Sequence, residues 1–260
     1  MKRLPNYLPT VLTVAIAIGL LIYGPIPQLA HYHEFADRRL WLGIPNAADV
    51  LSNTGFALIG LWGLWRLWPL RHHPALAVGW PGWCLFLVSL IATAIGSSYY
   101  HLAPDDLRLV WDRLPIAFAC AGLLSAVHAE ARGKEAGMTA VLLSVAAVAS
   151  VLWWQTTADL RPYLLLQGLP LLLVPLWQAD APSKDRVAFA VAIGLYVAAK
   201  LAELSDHQLL HVLGFVSGHT LKHLLAVAAA VVIVTRLKQR VMPARQNQPG
   251  LGYPKAHLQE

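Results

Sequence analysis

The feature that most constrains this chain is a recurring apolar run, each close to the roughly 20 residues that cross a bilayer core. Eight such runs stand at about 8–24, 47–66, 78–100, 109–129, 138–154, 161–177, 187–204 and 209–235. Helices built for a soluble core would keep a polar face, and these runs have almost none. Charged residues make up 13% of the chain, against about 25% in an ordinary soluble domain. The chain therefore reads as all-α, a polytopic bundle of membrane helices. The fifth and sixth runs are the shortest, parted only by residues 155–160. No internal repeat is visible, which argues against an inverted-repeat transporter.

Lys and Arg placement sets a direction. With a cytoplasmic N-terminus, thirteen of the twenty basic residues fall in inside segments and seven on or near the other side. That bias predicts N-in and C-in with eight spans. The first run, preceded by Lys2 and Arg3, has a signal peptide as its alternative reading. It lacks a convincing cleavage site before His31, and Pro25 and Pro27 mark a helix exit. The +6 net charge thus reports orientation and requires no nucleic acid. Cys84 and Cys120 lie inside apolar runs and read as small buried hydrophobes. Many of the ten tryptophans fall near span ends, as an aromatic belt would.

Topology then gathers chemistry on the non-cytoplasmic side. The third run ends in Ser97-Ser98-Tyr99-Tyr100-His101, the fourth begins with Trp111-Asp112, and the last carries His219-Thr220-Leu221-Lys222-His223. Residues four apart share a helical face, so Ser97 pairs with His101 and His219 with His223. Two imidazoles at that spacing can ligate one metal, and a third from another helix completes a catalytic zinc set. Asp112 is then a candidate proton acceptor and Ser97 a candidate oxyanion donor. A solvated interfacial histidine is the bland alternative for each His taken alone.

The remaining polar residues read as follows. His207 and His211 form a second i, i+4 pair but read as interfacial, and His31 and His33 lie in the first outer loop. His72, His73 and His128 fall on the wrong side. Lys222 is expected to snorkel toward the interface. Glu203 and Asp206 are expected to form a structural network with Lys200, Arg38 or Arg39. The Gln-, Pro- and Arg-rich tail reads as disordered.

The ordered set Ser97-x-x-x-His101, Asp112 and His219-x-x-x-His223 resembles the alkaline ceramidases, in the superfamily that also includes the adiponectin and progestin receptors and the Per1-like proteins. The stretch from Tyr32 to Arg39, with Gly43-Ile44-Pro45-Asn46 and Asp49-Val50-Leu51-Ser52-Asn53, looks like a bacterial branch of that group. The resemblance implies a seven-helix core over 31–236, an added first helix over 1–30 and a tail over 237–260. It implies zinc held by His101, His219 and His223, with Ser97 and Asp112 beside an activated water. It also implies hydrolysis of a lipid amide, with an N-acyl lipid such as ceramide as substrate. Localisation in a bacterial inner membrane and no obligate protein partner follow from the same reading. The family's calcium site carries over poorly: Asp37 is followed by Arg38 and Arg39, and Asn46 stands where a later Glu is expected. Asp37, Asn46 and Asp49 remain a candidate Ca2+ set beside a plainer reading as loop and cap contacts, with Asp37 paired to an arginine. A receptor or sensor with little turnover is the alternative function, since the same residues would serve it.

Overall fold

The structure is a computed structural model that describes residues 7–242. Its regular structure is helical, with no strand among the described residues and one isolated bridge between Trp41 and Ile44. The helices are α1 (Leu8–Tyr23), α2 (Ala47–Ser52), α3 (Thr54–Leu67), α4 (Trp80–Leu102) and α5 (Asp106–Arg132). They continue with α6 (Gly137–Thr157), α7 (Arg161–Trp177), α8 (Ser183–Leu204), α9 (Asp206–Leu213) and α10 (Gly218–Val241).

Local sequence explains the boundaries. Pro9, Pro81 and Pro162 sit in the first turns of α1, α4 and α7, where a missing N–H costs nothing. Asp105 caps α5 by accepting the Arg108 N–H, and Ser217 caps α10 by accepting that of Thr220. Gly133 and Gly214 close α5 and α9 in the left-handed conformation.

The stretches 77–102, 106–132, 137–157, 183–204 and 218–241 are long and apolar enough to cross a membrane. Their outward faces carry exposed Ile95, Val141, Leu142, Val145 and Leu201, side chains that water would not tolerate in such density. The protein is a multi-pass membrane helix bundle.

Two expected spans turn out divided. The second breaks at Asn53 into α2 and α3, and the last into α9, a turn over 214–217, and α10. Polar side chains compete with a continuous helix at both breaks: Asn53 Nδ2 donates back to the Asp49 carbonyl, and Ser217 caps α10. α10 also runs on to Val241, so the expected tail from 237 begins inside a helix. The remainder of that tail, with Lys2 and Arg3, lies outside the described residues.

α3, α4, α5, α7, α8 and α10 surround a central cavity, with α6 packed outside against α5 and α7, and α1 against α7. α4 and α5 approach most closely: a Cβ on Gly96 would overlap the Trp111 carbonyl oxygen. Small residues permit such backbone contact between membrane helices. One end of the bundle is tied by ions, with Arg236 and Arg240 on Asp185, and Arg240 on Glu130, which also accepts the Trp83 indole N–H. At the other end an irregular strap, residues 24–46, crosses over the helix ends.

Candidate metal centre

The strap-covered end brings the three histidines together. His101 lies in the last turn of α4, and His219 and His223 occupy the first two turns of α10. All three are buried, each with a ring nitrogen within 4.8 Å of the others'. His101 Nε2 and His219 Nε2 stand 3.2 Å apart. Two nitrogens bound tetrahedrally to one zinc at 2.0–2.1 Å would stand roughly 3.3 Å apart. The three rings, with centroids 4.8 to 5.1 Å apart, therefore fit a common metal ion.

Second contacts orient these ligands. Ser52 Oγ donates to the Asp49 carbonyl and lies 2.8 Å from His223 Nδ1. With its own proton committed, Ser52 accepts from His223 Nδ1–H, which leaves the Nε2 lone pair for a metal. The Asn46 side-chain amide donates to the His101 carbonyl at 2.8 Å, pinning the end of α4. Asp206 Oδ1 accepts the His219 N–H at 2.7 Å. The Phe35 ring, from the strap, covers His101 and His219 at centroid distances of 4.7 and 4.4 Å. Its burial keeps bulk water from that face.

Ser97 and Asp112 are both buried. Both line the central cavity together with His223 and Lys222. All five residues singled out from the sequence thus meet at one end of the bundle.

Of the other expectations, one is overturned and several hold. Lys222 does not snorkel: its ammonium donates to Glu203 Oε1 at 3.0 Å and lies 2.8 Å from His219 Nε2. Glu203 also holds Lys200 at 3.0 Å, the first of its expected partners. The buried carboxylate draws both ammonium groups inward because an unpaired charge there is costly. Asp206 joins the strap to α10 through backbone N–H groups of Ala36 and His219. Asp37 is buried against Arg39, whose hydrogen bonds hold its carboxyl below the usual range. Asn46 is spent on His101, and Asp49 Oδ1 accepts from Thr220 Oγ1 at 2.6 Å. Each member of the candidate Ca2+ set thus has a protein partner, and no hydrogen bond joins any two of them. His207 and His211 lie exposed on α9, outside the cluster. His31 pairs with Glu34, and His33 is held between Tyr100 and Asp106.

Phe35, Ser52 and Thr220 escaped the sequence reading. For Ser52 a signal existed, as the Asp49–Asn53 stretch is polar inside an apolar run. Phe35 carried none.

The cavity, about 180 Å3, is apolar over most of its length. Its polar end is formed by Ser97, Asp112, Lys200 and Lys222, and its far end by Phe86, Leu123, Phe189 and Ile233. On each helix the two ends lie eleven residues apart, which is roughly 16 Å of helix rise. Compared with known proteins, the chain matches no family model, no curated protein and no solved structure.

Proposed function

We propose that the protein is a zinc-dependent hydrolase that cleaves the amide bond of an N-acyl lipid inside the membrane. The observation that carries this reading is the buried His101–His219–His223 cluster at the polar end of an apolar cavity, beside Asp112 and Ser97. When bound, zinc supplies Lewis acidity toward a carbonyl and acidifies water to a pKa of about 7.

The chain's own residues divide the remaining work. The apolar walls accept the acyl chain and carry its carbonyl to the histidine end. The Asp112 carboxylate receives the proton from attacking water and returns it to the leaving amine. Ser97 lines the same end of the cavity as that carboxyl. Phe35 limits water entry, which strengthens the electrostatics within.

The ordered resemblance to the alkaline ceramidases supports the same roles. The basic-residue bias favours N-in and C-in, with the site toward the non-cytoplasmic side of a bacterial inner membrane. Purified zinc-loaded protein is tested against ceramides, N-acylethanolamines and N-acyl amino lipids. Cleavage of at least one class, lost on chelation and restored by zinc, is expected. Folded, zinc-replete protein that cleaves none of them overturns the amidase reading.

A further inference from the structure

The charged side chain of Lys222 stands in direct contact with a nitrogen of the candidate metal site. A lysine on a membrane helix is expensive, and a long apolar side chain would fill the same space more cheaply. It is nevertheless drawn inward, with its Nζ 2.8 Å from His219 Nε2 and 3.0 Å from Glu203 Oε1. His219 Nε2 is the same atom that faces His101 Nε2 at 3.2 Å, so Lys222 borders the point on which the histidines converge. Glu203 fixes it there and is itself held by Lys200. Lys222 also lines the cavity, so a chain lying in the cavity delivers its head to this ammonium.

We propose that Lys222 is the oxyanion-binding residue of the site, receiving the acyl oxygen that gains negative charge during amide cleavage. The proposal rests on the amidase reading for its chemistry, but its binding function is testable apart from it. As water oxygen bonds to the carbonyl carbon, the C=O π pair moves onto the acyl oxygen and one water proton passes to Asp112. Collapse restores the C=O bond and breaks C–N, and the amine takes the proton from Asp112. Lys222 keeps its own protons and donates a hydrogen bond to the acyl oxygen throughout. A charged donor aimed at that oxygen acts most strongly where water is excluded.

The test uses full-length zinc-loaded protein in detergent, as wild type, Lys222→Met, Lys222→Gln and Lys222→Arg. Zinc content is measured by elemental analysis. Affinity is measured by calorimetry for hexadecylphosphonate, a tetrahedral anion, and for hexadecanol, its uncharged counterpart. In Lys222→Met and Lys222→Gln, phosphonate affinity should fall about 10- to 100-fold with hexadecanol affinity and zinc unchanged. Lys222→Arg should recover most of it. With a cleavable lipid, Lys222→Met should lower kcat by about 100-fold or more and leave KM nearly constant. Wild-type phosphonate affinity in zinc-replete Lys222→Met overturns the proposal, and so does zinc loss in all three variants. If wild type cleaves no lipid but binds phosphonate through Lys222, the amidase reading falls and the anion site stands. If wild type cleaves and Lys222→Met cleaves equally fast, the anion role falls and the amidase reading stands.

Discussion

Asp206 Oδ1 accepts the backbone N–H of His219 at 2.7 Å, so a carboxylate on α9 holds the first turn of α10 in place. Its other oxygen accepts the Ala36 N–H at 2.9 Å, which fastens the strap that carries Phe35. One side chain thereby sets both a candidate ligand and its cover. Replacing Asp206 with Ala leaves two donors unpaired, and about 2 kcal/mol of stability should be lost. Zinc affinity should fall as well. Thermal unfolding in detergent and competition with a chromogenic chelator measure the two effects.

Metal content should discriminate between the two His-x-x-x-His pairs. Alanine at His101, His219 or His223 should abolish stoichiometric zinc, whereas alanine at His207 or His211 should leave it intact. Ser52→Ala, which removes the acceptor for His223 Nδ1, should weaken zinc binding about 10- to 100-fold without abolishing it. Elemental analysis and chelator titration read these outcomes. Full zinc in His219→Ala would remove the assigned centre.

Phe35→Ala opens the face over His101 and His219. Because it deletes a buried aromatic ring, it should cost about 3 kcal/mol or more. Its distinguishing effect is kinetic, since a chelator added to the folded protein should strip zinc faster than from wild type. An unchanged stripping rate would mean that Phe35 does not control access.

Gly96→Ala should destabilise the α4–α5 pair by about 3 kcal/mol, because its Cβ would meet the Trp111 carbonyl and neither backbone has room to yield. Gly19→Ala, where nothing lies near the added carbon, should leave the melting temperature unchanged or slightly raised. Equal melting temperatures for the two variants would contradict the close helix contact.

Asp159, in the turn between α6 and α7, supplies a pH dependence. Its hydrogen bonds from Arg161 hold its carboxyl well below the usual range, and it also accepts the Ile26 N–H and the Trp153 indole N–H. A depressed folded value means that the stabilisation is fully present above the unfolded value, about 3.9. It is lost as pH falls through the lower folded value. Asp159→Asn should therefore be less stable than wild type at pH 7, with the difference shrinking below pH 4. Thermal unfolding across that range checks the sign.

The bundle, and the three histidines that meet in it, were legible in the residues alone. Apolar run length decides what spans a membrane, and a four-residue spacing places His219 over His223 wherever the helix lies. The order of the helices was enough to bring His101 and Asp112 toward the same end. Packing between elements is what turns Lys222 inward to Glu203, lays Phe35 on two histidine rings and commits Asn46 to the His101 carbonyl. It also decided the breaks at Asn53 and over 214–217. The physical reason is that periodicity specifies a face within one helix but not how that helix is rotated against its neighbours. Rotation follows from contacts such as Gly96 on Trp111 and Asp206 on His219, which join residues far apart in the chain.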